Sequence, residues 1–201
     1  MKIIWNGHSC FTVETQDGTV VLDPYSDGSV PGFDPLRLQT DRVLCSHGHR
    51  DHSSTGCVQL SGKPCGVEVR EIPSWHDDAK GKKRGSNTIF VLLSEGLKIA
   101  HLGDLGCALN EEQISGLSDL DALMIPVGGY YTIDADQAMT IVRQLQPRVT
   151  IPMHYRFAGH GYEEIDTLDR FLKLCDHPVE YPGNIVELDP TTPNQTAILK
   201  L

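Results

Sequence analysis

Little freedom is left to a chain that places three histidines and an aspartate inside one six-residue stretch. His47, Gly48, His49, Arg50, Asp51 and His52 follow directly on a β-prone run, Arg42–Cys45. Side chains two apart in an extended segment point the same way. His47 and His49 can therefore reach one metal ion. Ser53-Ser54 suits a helix start, so the chain turns at Asp51-His52 and aims that pair at a second, neighbouring point. Imidazole and carboxylate are ordinary ligands of zinc and its neighbours. Chance clustering on a polar loop explains a lone histidine, but not four such residues at these offsets after a strand.

The 201 residues suit one domain. No run approaches the ~18–20 apolar residues that a spanning helix needs, and Asn6 and His8 interrupt the short apolar start, which is no signal peptide. A cytoplasmic protein with no membrane partner is expected. The six cysteines contain no C-x-x-C pair and are expected to be free thiols. A net charge of −10 repels the phosphate backbone, so nucleic acid is not an expected partner and a small molecule is. The basic run Lys80-Gly81-Lys82-Lys83-Arg84 is either a solvated loop or a rim that attracts an anionic substrate. The letters leave homo-oligomer formation open.

Strands are expected at Lys2–Trp5, Phe11–Glu14, Thr19–Leu22, Arg42–Cys45, Gly66–Ile72, Thr88–Leu93, Lys98–His101, Ala122–Pro126, Val149–Pro152, Ile185–Leu188 and Ala197–Leu201. Asp17-Gly18 marks a hairpin, and Ser26–Thr40 a long loop. Asn110 with Gln113, and Asp134 with Gln137, are capping pairs that open helices toward Leu117 and Leu145. Ile165, Leu168, Phe171, Leu172 and Cys175 have helical spacing and predict a third helix over Glu163–Cys175. Such a mixture implies sheets covered by helices.

His47-x-His49-x-Asp51-His52 resembles the H-x-H-x-D-H signature of the metallo-β-lactamase superfamily. His76 after Pro73-Ser74-Trp75, Asp104 in His101-Leu102-Gly103-Asp104, and His154 after Ile151-Pro152-Met153 match its remaining ligand segments in order. Gly7-His8-Ser9-Cys10-Phe11, Leu22-Asp23-Pro24 and Ile125-Pro126-Val127-Gly128-Gly129 resemble the branch of predicted metal-dependent hydrolases that includes ascorbate-6-phosphate lactonase. The resemblance implies an α/β fold, an αββα sandwich of two mixed sheets. It implies that His47, His49 and His76 hold one divalent metal, that Asp51, His52 and His154 hold another, and that Asp104 bridges them. Trp75 follows His52 closely, so helices common in the family at this point are expected to be reduced, and no long insertion supplies a lid.

Two divalent ions lower the pKa of a water between them and polarise a carbonyl or phosphoryl oxygen. The expected activity is hydrolysis of a small ester, lactone or phosphate-bearing metabolite, with Asp51 also orienting the nucleophile. A phosphodiesterase, or an iron-dependent redox enzyme on the same fold, is the alternative. Zinc is the leading metal, with manganese, iron and nickel also suited to nitrogen and oxygen ligands. Neutral imidazoles need partners that fix their tautomers; Asp23 is the first candidate, and His101 and His8 follow. Tyr25, Tyr130, Tyr131, Tyr155 and Asn87 flank the motifs and are candidates to touch substrate.

Overall fold

A computed structural model describes residues 1–201. Its strands are β1 (Lys2–Gly7), β2 (Cys10–Thr15), β3 (Gly18–Leu22), β4 (Leu38–Thr40), β5 (Arg42–Leu44), β6 (Val58–Leu60), β7 (Glu68–Trp75), β8 (Ser86–Ser94), β9 (Leu97–His101), β10 (Ala122–Pro126), β11 (Val149–Met153), β12 (Pro178–Glu180), β13 (Ile185–Glu187) and β14 (Gln195–Ile198). The helices are α1 (Glu111–Gly116), α2 (Ala135–Leu145) and α3 (Asp169–Leu172). Five strands form one sheet in the order β13-β1-β2-β3-β5, seven form a second in the order β12-β14-β11-β10-β9-β8-β7, and β4 pairs with β6.

Period-two alternation sorts the first sheet into two faces. Phe11, Val13, Val20 and Leu22 join the main core together with Ile89, Ile99, Leu123 and Ile151 of the second sheet. Cys10 and Val21 face the other way, where Tyr25, Val30, Phe33 and Leu36 cover them. That side of the sandwich is therefore sealed by a loop rather than a helix. The αββα plan is kept with few helices. No helix is long and apolar enough to cross a membrane, and all six cysteines are free.

Both capping boxes form: Asn110 and Asp134 accept from the backbone of Gln113 and Gln137, whose side chains reciprocate. β1 and β14 place the two ends of the chain in different sheets. The last strand is Gln195–Ile198 rather than Ala197–Leu201.

Three further expectations need correction. The helix expected over Glu163–Cys175 shrinks to Asp169–Leu172. Asp166 N–H donates to the Gly128 carbonyl at 2.7 Å, Arg156 N–H donates to the Asp166 carbonyl at 3.1 Å, and Ile165 is buried. Long-range pairing of this backbone overrides the helical periodicity. The strand expected to stop at Ile72 runs on through Pro73 to Trp75. It is an edge strand whose only strand neighbour is β8, where a residue without N–H is tolerated. The helix start expected at Ser53-Ser54 is a single 3-10 turn, Thr55–Cys57.

Candidate metal centre

β1 and β3 are each antiparallel to β2, and β3 is parallel to β5. The chain therefore leaves β1, β3 and β5 at one end of the first sheet, delivering His8, Asp23 and the His47–His52 segment there. In the second sheet β9, β10 and β11 are parallel, and their ends deliver Asp104, the Gly128–Tyr131 loop and His154. β7 ends beside the start of β8 and delivers His76. A backbone hydrogen bond from Thr88 N–H to the Ser46 carbonyl, at 2.9 Å, ties the two sheets together at this end.

Asp104 is the hub. Its Oδ2 lies 3.2 Å from Nε2 of His52, 3.3 Å from Nε2 of His76 and of His154, and 3.9 Å from Nε2 of His47. The donor atoms of His47, His49 and His76 lie within 4.8 Å of one another, and so do those of His8, Asp51, His52 and His154. The seven residues that the resemblance marks as ligands thus meet in one place.

Buried polar atoms normally find partners. Here Nε2 of His47 and His52, both ring nitrogens of His8, and Oδ1 of Asp104 are buried with none. Unpartnered nitrogen and oxygen atoms from several side chains gathered around one volume are what a cation would satisfy, so the residues fit a divalent metal. Nitrogen and oxygen donors suit zinc, manganese, iron or nickel.

Asp23 sets the tautomers. Its Oδ1 accepts from Ser46 N–H at 2.6 Å, and its Oδ2 accepts from Ser46 Oγ at 2.6 Å and from His52 Nδ1 at 2.8 Å. Ser46 spends its proton on Asp23, so its oxygen accepts from His47 Nδ1 at 3.0 Å. Both imidazoles thereby aim Nε2 at the cluster, His47 with its lone pair and His52 with one that is freed when its Nε2 proton leaves. Burial opposes ionisation of Asp23, yet His52 and these hydrogen bonds hold its carboxyl below the usual carboxylate range. Burial likewise opposes charge on His52, but Asp104 and Asp23 raise it well above an ordinary imidazole. Burial dominates at His47 and His8, pushing them down to about 3 and about 4.

Metal uptake must therefore displace a proton from His52. Binding should release that proton, and apparent affinity should fall on acidification by about tenfold per pH unit for each proton displaced. Calorimetry in buffers of different ionisation enthalpy measures the release. Equal heats in all buffers would contradict it.

His101 supports the site from behind. Its Nε2 donates to the Ser9 carbonyl at 2.9 Å and its Nδ1 accepts from Gly103 N–H at 3.1 Å. Gly103 has φ +54°, and a Cβ there would lie 2.4 Å from Asn87 Oδ1 and 2.5 Å from Ser46 Cβ. Only glycine fits this approach, which delivers Asp104 N–H to Asn87 Oδ1 at 2.9 Å. His8, Asp23 and His154 carry positive φ angles of 51°, 47° and 55°. Such backbone costs roughly 1–3 kcal/mol per residue, and these three of the nine non-glycine residues with positive φ stand where side chains must converge.

The structure moves several residues away from the roles expected of them. His8 was expected behind the ligands but stands among them, its Nε2 3.5 Å from Asp51 Oδ2. Asn87 was expected to touch substrate but is buried, and it donates to Ser74 Oγ and the Leu102 carbonyl. Tyr25 is buried on the outer face of the first sheet and spans the carbonyls of Asn6 and Asp34. Tyr155 is buried against Trp5, with ring centroids 5.6 Å apart. Tyr130 is exposed and does not line the cavity.

A cavity of about 300 Å³ opens over the cluster. Arg84, Tyr131 and Tyr162 wall it, together with His49, Asp51, His76, Asp104 and His154. Tyr162 Oη sits 2.8 Å from the Ser29 carbonyl and 3.2 Å from Asp51 Oδ2. Tyr162 has no motif context in the sequence. Only the turn at Phe157–His160, closed by reciprocal backbone hydrogen bonds, returns it to the site.

Exchange of Asp23 for asparagine should weaken metal binding by about tenfold. The amide would present N–H where His52 Nδ1 now donates. His52 would then carry its proton on Nε2, facing the metal. Chelator competition on the refolded variant measures this, and unchanged affinity would remove Asp23 from the role.

A family model described as the Beta-lactamase superfamily domain matches residues 2–154, more than half of the chain. A UPF0173 metal-dependent hydrolase of Thermoplasma acidophilum is 28% identical over 187 residues, covering 77% of this chain and 83% of the relative. A Thermotoga maritima structure described as a Zn-dependent hydrolase of the metallo-β-lactamase superfamily aligns with a TM-score of 0.78 and 32% identity, over 98% of this chain and 97% of that one. Igni18, a metallo hydrolase of Ignicoccus hospitalis, shares the fold with a TM-score of 0.64 and 21% identity, covering 94% of this chain and 99% of its own.

Proposed function

This chain belongs to the metallo-β-lactamase superfamily, and we propose that it is a binuclear metal-dependent hydrolase of a small ester, lactone or phosphate-bearing metabolite. One observation carries the reading: buried, unpartnered nitrogen and oxygen atoms of histidine and aspartate gather beneath an open cavity. The relatives named as metal-dependent hydrolases support it. His47, His49 and His76 would hold one ion, and Asp51, His52 and His154 the other, with Asp104 between them and His8 beside the second. When bound, divalent ions supply Lewis acidity and an activated water.

The chain's own residues do the rest. Burial works against a charged Asp51, but the nearby rings of His8 and His52 hold its carboxyl well below the usual range. Asp51 is therefore an anion at any working pH. It serves as a fixed acceptor that orients an attacking water, not as a store for its proton. The protein needs no covalent nucleophile. Cys10 is buried on the outer face of the first sheet, and burial pushes its thiol up. A cavity of about 300 Å³ suits a metabolite, and a net charge of −10 disfavours a polynucleotide.

The test is elemental analysis of fresh protein, followed by an ester, lactone and phosphodiester panel after chelation and after restoring each metal. Two ions per chain, with turnover lost on chelation and regained on restoration, are expected. Full activity in metal-free protein would overturn the reading.

A further inference from the structure

The three lysines of the run Lys80–Arg84 are exposed and Arg84 is half-buried, yet the backbone is built as a fixed object. Asp77, only 2% exposed, lies at its root. Asp77 Oδ1 accepts from the N–H groups of Ala79 at 2.8 Å and Gly81 at 3.0 Å. Its Oδ2 accepts from Lys83 N–H at 2.9 Å and Arg84 N–H at 2.7 Å. One carboxylate thus gathers four backbone donors of the loop. Gly81, with φ +78°, packs so tightly under Trp75 that a Cβ would lie 2.7 Å from its Cε3. The loop returns to the metal centre, where the Gly85 carbonyl accepts from His76 N–H at 3.1 Å.

This scaffold sets Arg84 in the cavity wall, the one lysine or arginine there. Its Nη2 donates to the Tyr130 carbonyl at 3.0 Å, and its guanidinium lies 5.6 Å from the centroid of the Tyr131 ring. Neighbouring Lys83 is neutralised by Asp78 at 2.6 Å. Arg84 has no carboxylate within ion-pair reach, and one of its five donors is engaged. A planar guanidinium with free donors matches carboxylate and phosphate oxygens in pairs. In a chain of net charge −10, a small anion needs a local reason to dock. Arg84 supplies one beside the histidine cluster.

We propose that Arg84, backed by Tyr131, recognises an anionic group, carboxylate or phosphate, carried by the substrate at the end away from the metal centre. The word substrate rests on the hydrolase reading above; the anion subsite itself does not. It predicts a small bifunctional ligand, one end on the metals and a charged end on Arg84.

The experiment measures binding, not turnover. Metal-loaded protein is titrated calorimetrically with malonate, succinate, glutarate and adipate, each beside the monocarboxylate of equal carbon count. Phosphonoacetate and phosphonopropionate form a parallel arm. Monocarboxylates report the metal end alone. At the chain length that spans the cavity, the dicarboxylate should bind about tenfold tighter than its monocarboxylate, the scale of a charged hydrogen-bonded contact. Arg84→Gln should erase that gain and Arg84→Lys should keep part of it, with metal content checked in each.

A gain larger in the phosphono arm assigns the group to phosphate, and a larger gain in the dicarboxylate arm assigns it to carboxylate; both support the subsite. No gain at any length in the wild type, or a gain that survives Arg84→Gln, overturns it. A preserved gain in a protein that turns over none of the ester, lactone or phosphodiester panel refutes the hydrolase reading and leaves the subsite standing.

Discussion

Asp104→Ala protein should purify nearly free of metal and hydrolyse about a thousandfold more slowly than wild type, within the range of essential positioned groups. Asp104 Oδ2 faces four imidazole nitrogens at 3.2 to 3.9 Å. Burial alone would favour its neutral form, yet His154 and His52 hold its carboxyl well below the ordinary range. Its removal leaves several imidazoles around a void with no anion between them, so any cation bound there loses both a ligand and charge compensation. A purely structural role would lower the unfolding temperature and leave metal per folded chain unchanged. The deciding measurement is therefore metal content of the folded fraction beside kcat. Retention of two ions per chain in Asp104→Ala would remove this residue from the centre.

The sequence carried the centre well where ligands come in a cluster or directly after a strand. His47 to His52 declare themselves by spacing, and His76 and His154 each occupy the first position beyond β7 and β11. The capping pairs Asn110 with Gln113 and Asp134 with Gln137 were legible because a capping box is a local bond pattern. His8 was harder to place. It is a single histidine in the turn between β1 and β2, and only its left-handed backbone carries its ring to within 4.1 Å of the His154 ring. Arg84, Tyr131 and Tyr162 line one cavity but lie on three separate segments, a relation with no sequence period. Asn87, Tyr25 and Tyr155 sit near motifs in the chain, yet each spends its polar group or ring on internal packing. The helix over Glu163–Cys175 failed for the converse reason: periodicity is local, whereas the hydrogen bond from Asp166 to Gly128 is not.

Asp51→Asn should lower the plateau of hydrolysis by roughly a hundredfold or more and keep the acid limb of the pH–rate profile, its midpoint moved toward lower pH by loss of the negative charge 3.7 Å from His52 Nε2. Both halves follow from the electrostatics around this carboxylate. Its pKa lies well below the usual range, so no change in its charge accompanies the rise in rate from acid toward neutral pH. That rise comes from groups that must lose protons before metal and water are in place, His52 foremost, which Asp104 and Asp23 hold above the ordinary imidazole value. An asparagine keeps the volume of Asp51. It removes the charge that faces His8 Nε2 at 3.5 Å and His52 Nε2 at 3.7 Å, and the oxygen pair that can accept from a water. Turnover falls because that water is no longer oriented, while the titrating groups stay. Rate profiles of wild type and variant between acid and neutral pH, with metal content matched, separate this from proton storage on Asp51. If Asp51 itself stored the proton, the acid limb would vanish in the variant, and a fixed acceptor would be the wrong description. Cys10→Ala in the same assay should change the rate little. Its loss of activity with metal still bound would point instead to a covalent route.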